Sequence, residues 1–221
     1  YIDSIDMLFT KDCIVNNYSL LLYNNYIILP ITLNKYIGLI NNDLFNYDIL
    51  SINSYSICFW CKFTSNSDII FSSNNTTNIF KLSYNSSKLL WDRKYNYTSG
   101  NNYTGVLLSC PYTNTNEWTH ISLISIFENN KLYARIFINN IEQVITIDEE
   151  GVNNFDKNYF DYLSNINIIL AGCYADVDYY TSSTINKSTG IIQFGDIRFY
   201  DKSLTTKDIS KIYNVYNQTL Y

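Results

Sequence analysis

The run from Trp118 to Asn140, WTHISLISIFENNKLYARIFINN, constrains the fold more than any other stretch of this chain. Thr119 to Phe127 is β-branched and aromatic, and Lys131 to Ile138 alternates Leu132, Ala134, Ile136 and Ile138 with Tyr133, Arg135 and Phe137. A period of two belongs to strands, so the two arms read as a β-hairpin. Glu128, Asn129 and Asn130 separate the arms, and Asn139-Asn140 separates the second arm from Ile141. Asparagine tolerates positive φ, so both breaks suit tight turns, and Ile141 to Ile147 is expected to continue the sheet as a third arm.

A chain of 221 residues, 47% hydrophobic and 16% charged, has the apolar material for one buried core. Residues 1–221 therefore read as a single domain, with 1–20 as a candidate N-terminal extension or linker. The 22 tyrosines accompany dense isoleucine and asparagine, a usage that AT-rich codons explain, so a lone tyrosine carries little weight. A net charge of −5, with 15 Lys and Arg in no run, speaks against nucleic acid as a partner, since phosphate backbones need a basic stripe. Direct membrane insertion is not expected, because no stretch reaches the ~18 continuous apolar residues of a span. The nearest, Ser19 to Leu33, is broken by Asn24, Asn25 and Pro30. The chain opens at Tyr1 without a methionine, which reads as a mature product or an excised domain.

Cys13, Cys58, Cys61, Cys110 and Cys173 leave an odd thiol over even if two disulfides form, and a Cys110–Cys173 pairing stands open. Cys58-Phe-Trp-Cys61 has the CxxC spacing, but within Ser54 to Thr64 it lies in an alternating strand. Residues three apart then face opposite ways and cannot share a metal. Ile57, Phe59, Cys61 and Phe63 form one face of this strand; Ser56, Cys58, Trp60 and Lys62 form the other.

Short strands follow at Asp68 to Ser72, Asn78 to Tyr84 and Lys88 to Trp91, at the spacing of a sandwich or barrel. Asp92 to Thr104 is polar and tyrosine-rich and reads as a surface loop; Val106 to Ser109 is a further strand. Earlier in the chain Tyr26 to Leu29 ends at Pro30, which suits an edge or a strand end, and Tyr36 to Ile40 is another candidate strand. Asn41 to Asn53 reads as a loop with one helical turn, and Val152 to Leu163 as irregular or briefly helical. Asn165 to Gly172 is a strand whose glycine opens the long loop Cys173 to Thr189, and Gly190 to Tyr200 is the last strand. Thr205 followed by Asp208 resembles a capping box, and Ile209, Ile212, Tyr213 and Tyr216 fall at helical spacing, so one short C-terminal helix packs on the sheets.

These pieces, in this order, resemble the laminin-G-like, concanavalin-A-like jelly-roll family over most of the chain. Ser56 to Lys62 with Phe59-Trp60 is similar to its "sFWvk" strand, Trp118-Thr119-His120-Ile121 to "WxHva", and Tyr133 to Asn140 to "lYvNG". Asp196 to Ile209, DIRFYDKSLTTKDI, is similar to the closing "dvRiYnraLsxxEI" strand and helix. Asn140 stands where the family usually has glycine, Gly195 where aspartate is common and Ile192 where glycine is common. The resemblance implies an all-β, two-sheet antiparallel jelly-roll sandwich with rim loops where relatives bind sugars, proteins or calcium. The fold alone confers none of these activities.

A retaining glycosidase on this scaffold needs two carboxylates roughly 5 Å apart on one strand face. The acidic cluster Asp148-Glu149-Glu150 lacks that alternation and reads as a solvated turn. His120, the sole histidine, lacks an accompanying GxSxG stretch and falls where the family keeps a packing histidine. Calcium needs several oxygen ligands, and Asp176 and Asp178, with neighbouring carbonyls and hydroxyls, are the best local metal set. Tyr174, Tyr179 and Tyr180 in the same loop can stack on sugar rings, and Tyr95, Tyr97 and Tyr103 form a second aromatic loop. Eight N-x-S/T sequons, at Asn17, Asn74, Asn75, Asn85, Asn96, Asn102, Asn186 and Asn217, weakly favour a secreted history.

The sequence thus reads as a non-enzymatic recognition or adhesion module, extracellular, on a cell surface or on a virion, binding a glycan or protein through rim loops. The alternative is a structural or assembly domain of a larger surface protein, fibre or particle; a glycoside hydrolase is the weakest of the three.

Overall fold

The computed structural model describes residues 8–10, 19–23, 27–30, 54–64, 69–74, 79–95, 104–128, 131–150, 167–174, 185–200 and 202–217. The expected strand at Tyr36 to Ile40 and the irregular stretches Asn41 to Asn53 and Val152 to Leu163 lie outside the described residues. What is described is a concanavalin A-like jelly-roll sandwich of two antiparallel sheets with one helix. The first sheet has the order β1-β2-β16-β4-β9-β10-β11, built from Leu8–Thr10 (β1), Ser19–Tyr23 (β2), Ile191–Tyr200 (β16), Tyr55–Phe63 (β4), Thr119–Glu128 (β9), Lys131–Ile138 (β10) and Ile141–Glu142 (β11). The second has the order β12-β8-β7-β6-β5-β13-β3, from Thr146–Glu150 (β12), Thr104–Pro111 (β8), Lys88–Tyr95 (β7), Ile79–Asn85 (β6), Ile69–Asn74 (β5), Asn167–Leu170 (β13) and Ile27–Pro30 (β3). Pro30 ends β3 at the edge of its sheet, where its missing amide costs no ladder bond.

The two faces of β4 set the layers. Ile57, Phe59, Cys61 and Phe63 point between the sheets, where they join Leu82, Leu89, Trp91, Leu108, Ile121, Leu123, Ile136 and Phe194 in the main core. The opposite face is not exposed to water. Cys58 lies in a second core with Ile124, Phe137, Leu204 and Ile209, under the helix α1 at Thr206–Asn217. Alternation along β4 therefore separates two apolar layers, and the strand is buried on both sides. Ser56 pins the entry to the helix: its Oγ donates to the Lys202 carbonyl at 2.7 Å and accepts from the Leu204 amide at 2.8 Å. The cap forms as its spacing predicts. Thr205 N–H and Oγ1 donate to the Asp208 carboxylate, and the Asp208 amide donates back to Thr205 Oγ1 at 3.3 Å.

The central hairpin pairs Lys131 with Glu128, so only Asn129 and Asn130 separate its strands. At its other end Asn139 and Asn140 adopt φ of 49° and 65°, the left-handed pair of a tight turn. The third arm is not continuous. Ile141–Glu142 pairs with β10 in the first sheet, and after Gln143 to Ile145 the chain crosses to Thr146–Glu150, which pairs with β8 in the second. Asp148-Glu149-Glu150 is accordingly part of an edge strand and not a turn. A register shift between Ile147 and Glu149 and the exposed Asp148 make that edge a poor template for another strand.

Three further expectations change. The strand expected over Lys88 to Trp91 runs on to Tyr95, so Asp92 and Arg93 are strand residues, both buried, and not loop residues. The Asn165 to Gly172 strand ends at Leu170, because Ala171 takes φ of 56°. Gly172–Tyr174 (β14) then forms a two-stranded ribbon with Ile185–Lys187 (β15), so the segment Cys173 to Thr189 has a paired base.

Candidate functional site

The registers give the sandwich two distinct ends. At one, Lys88 of β7 lies opposite Pro111, the Ser86-Ser87 turn has φ of 48° and 69°, and the loop Tyr112 to Trp118 crosses to β9. At the other, Tyr95 lies opposite Thr104. Strand β13 enters beside Asn74 at the second end and leaves at Leu170, so the β14–β15 ribbon departs toward the first. The two aromatic segments singled out from sequence therefore spring from opposite ends of the sandwich. Tyr174 closes β14 opposite Ile185, and Tyr95 closes β7. Asp176, Asp178, Tyr179, Tyr180, Tyr97 and Tyr103 lie outside the described residues, and with them the calcium and sugar-stacking expectations.

At the first end a cleft of about 270 Å³ opens between the Tyr112 to Trp118 loop and the Asn139-Asn140 turn. Its lining is Pro111, Tyr112, Thr113, Asn114, Ile138, Asn139, Ile141 and Gln143. The floor is rigid for identifiable reasons. Tyr112 is buried, its ring stacked on Phe63 at 5.0 Å and edge-on to Tyr84 at 5.9 Å, and its hydroxyl donates to the Asn114 carbonyl. Burial pushes that phenol well above its ordinary range, so it stays protonated and donating. The loop is held to its neighbours by two amides: Tyr112 N–H donates to the Ser87 carbonyl and Asn116 N–H to the Phe63 carbonyl, each at 2.8 Å. Asn139 fixes the opposite wall, exchanging backbone and side-chain bonds with His120: its amide donates to the His120 carbonyl and its Oδ1 accepts from the His120 amide.

The rim carries hydrogen-bonding and apolar groups side by side. Thr113 and Asn114 stand on one side, and Gln143, whose Nε2 donates to the Ile141 carbonyl, on the other. Ile141 is 67% exposed, and the crossover that follows presents Val144 at 83% and Ile147 at 58%. Three large aliphatic side chains in solvent within seven residues stand out among the described residues, where the other exposed aliphatics, Ile191 and Val215, lie far apart in the chain. Among the described residues the lining has no carboxylate, imidazole, thiol or ammonium, and its phenol, Tyr112, is buried and donates to the Asn114 carbonyl, so the arrangement suits contact and hydrogen bonding. Sequence reasoning passed over these residues. Pro, Thr, Asn and Gln are ordinary turn residues, and only the register brings 111–114 against 138–143. A signal existed in Ile141, Val144 and Ile147, whose spacing of three fits no single strand face.

The sole histidine and the three cysteines whose side chains are described are sequestered. His120 is 1% exposed on the outer face of the first sheet, between Trp60 at 5.2 Å and Tyr213 at 5.8 Å. Burial, with the nearby Arg198 charge, lowers its pKa to about 4, so it is neutral at pH 7 and acts in packing, as the sequence indicated. Cys58 and Cys61 do face opposite layers. Burial raises Cys58 to about 12, and it raises Cys61 further. Cys110 is a free buried thiol in the main core, which overturns its pairing with Cys173. Among the described residues no three His, Cys, Asp or Glu side chains gather at one point. No helix among them is long and apolar enough to cross a membrane.

No protein-family model matches the chain, and no curated protein matches it in sequence. Solved structures do match in fold. The botulinum neurotoxin type G receptor-binding domain superposes with a TM-score of 0.57 at 14% identity, covering 95% of this chain and 44% of that one. The botulinum neurotoxin serotype D binding domain gives 0.56 at 17%, covering 89% and 42%. The binding domain of botulinum neurotoxin DC, solved in complex with rat synaptotagmin II, gives 0.57 at 18%, covering 90% and 43%. The chain spans less than half the length of each. At such identities the likeness establishes the jelly-roll fold and nothing finer.

Proposed function

We propose that the chain is a non-catalytic, extracellular recognition module that binds a protein or glycan partner through loops at the rim of the sandwich. The observation that carries this reading is the cleft between the Tyr112 to Trp118 loop and the Asn139-Asn140 turn. Its floor is held by Tyr112, its described lining has no carboxylate, imidazole, thiol or ammonium, and the chain runs from its rim residue Ile141 to the exposed Val144 and Ile147. Apolar anchors ringed by amide and hydroxyl groups are the composition of a contact surface. The fold is compatible, since the similar structures are receptor-binding or binding domains of other proteins.

Binding of the purified chain to glycan arrays, with and without calcium, and to immobilised cell-surface protein extracts tests the reading. Ile141→Asp/Val144→Asp is run beside the wild type, both positions being exposed and the fold therefore preserved. Saturable binding that the double variant loses supports the rim as the contact surface. Absence of any binding, together with stable self-association of the wild-type chain, would favour an assembly domain instead.

A further inference from the structure

Arg93 is fully buried, on the face of β7 that looks between the sheets, two residues along from the core residue Trp91. Its Nη2 donates to Ser125 Oγ of β9 at 2.7 Å, so it bridges the two sheets, and its guanidinium carbon lies 4.6 Å from the centre of the Trp91 ring. That leaves its remaining polar atoms unsatisfied: Nε and Nη1 are buried and have no hydrogen-bond partner among the described residues. A guanidinium is never deprotonated in a protein, so it cannot escape burial by losing its charge. The adjacent carboxylate, Asp92, is no remedy on its own face, because successive strand residues point to opposite sides of the sheet.

The surroundings narrow what can satisfy it. Ser125 lies opposite Ala134 on one side and Tyr55 on the other, and Arg93 lies opposite Val106. The Ala134 and Val106 flank carries smaller residues than the opposite flank, where Tyr55 pairs with Ser125 and Phe80 with Arg93. Ser125, having accepted from Arg93, still has its hydroxyl proton to donate. On the planar guanidinium Nε–H shares an edge with Nη2, the nitrogen that meets Ser125, so Nε–H and the Ser125 hydroxyl can meet at a single acceptor beside the loop end of the sandwich marked by Tyr95 and Thr104, while Nη1 points to the other side. Against the single guanidinium a dianion such as sulfate would leave one negative charge uncompensated, whereas a monovalent anion leaves the pair neutral.

We propose that Arg93 and Ser125 form a buried site for a small monovalent inorganic anion, of the halide class, which neutralises the guanidinium between the sheets. Crystals of the full chain grown with sodium bromide in place of chloride provide the direct test. An anomalous bromine peak within about 3.5 Å of the Arg93 guanidinium, the range of a charge-assisted contact, is expected. A protein carboxylate or water alone at that position overturns the proposal. In solution, the thermal midpoint of the wild type is expected to rise saturably with bromide or chloride against sodium methanesulfonate at equal ionic strength. Arg93→Met is expected to lose that dependence and still fold, because an apolar residue of similar length can replace a buried charge. Equal halide dependence in wild type and Arg93→Met also overturns it.

Discussion

Trp60 and Tyr213 stack with ring centroids 5.6 Å apart and planes 20° from parallel, joining the central strand of the first sheet to the helix that closes the chain. His120 completes the cluster from the neighbouring strand, opposite Trp60 in register. The helix is thereby fastened over an aromatic cluster, in addition to the apolar layer of Cys58, Ile124, Phe137 and Ile209.

That enclosure makes stability depend on pH in a definite direction. His120 has its pKa lowered from 6.5 to about 4, chiefly by burial and secondarily by the Arg198 charge. Below pH 6.5 the unfolded chain takes up a proton that the folded chain refuses, so stability is whole above about 6.5 and drains as pH falls toward 4. At about 1.4 kcal/mol per pKa unit, the loss attributable to His120 is of order 3 kcal/mol. Carboxylates titrate in the same range, so the comparison must be between variants. Urea unfolding from pH 7 to pH 4 is expected to show a shallower loss for His120→Phe than for the wild type; parallel profiles would remove His120 from the account.

The thiols offer a second check on the layers. Cys58 is raised to about 12 and Cys110 to about 11, each mainly by burial, and Cys61 lies fully buried in the main core. At pH 8 the reactive thiolate of Cys58 is then roughly one part in ten thousand, on top of its steric protection. All three are expected to react with a thiol reagent only at the rate of unfolding, rising together with urea. Rapid native-state modification at Cys58 or Cys61, located by peptide mapping, would contradict the two-layer burial of β4.

Much of this fold was legible because its strands obey simple rules. The alternation in Ser54 to Thr64 separated Cys58 from Cys61, and Thr205 with Asp208 marked the helix start. The illegible parts share a cause: tertiary contacts overrode the local pattern. Ile141 to Ile147 has the composition of one strand, yet it divides between two sheets, and Ile141, Val144 and Ile147 face solvent while Ile145 packs on the core. Asp92 and Arg93 look like loop residues because charge is rare inside a sandwich; partners on neighbouring strands, invisible in sequence, put them there. The rim cleft was hidden for the opposite reason, since its residues are unremarkable one by one and become a site only through register.

Gly195 sits in the register shift of β16 between Phe194 and Ile197, where the family resemblance had aspartate. A Cβ built there would lie 3.0 Å from Trp60 Cβ and 3.6 Å from Trp118, so the bulge needs a residue without a side chain to admit the tryptophan. Gly195→Ala is expected to push Trp60 toward Tyr213 and cost about 1–3 kcal/mol, the range of overpacked cores. Denaturant unfolding measures the cost, and tryptophan fluorescence reports the displaced ring. Unchanged stability and spectrum would mean that the strand can shift to make room.

Asn140 is the other departure from the family pattern, and here asparagine does more than imitate glycine. It takes φ of 65°, which glycine would adopt without strain, but its Nδ2 also donates to Ser210 Oγ on the helix at 2.8 Å. Asn140→Gly gives up that bond, worth about 1 kcal/mol, and gains a comparable relief of backbone strain, so its stability is expected to stay within about 0.5 kcal/mol of wild type. Asn140→Ala loses the bond and keeps the strain, and is expected to be about 1–2 kcal/mol less stable. Ser210→Ala separates the two contributions: made in the Asn140→Gly background it should add almost nothing, whereas in wild type it should cost nearly the whole hydrogen bond. Equal losses in both backgrounds would show that the turn and the helix are not coupled through these side chains.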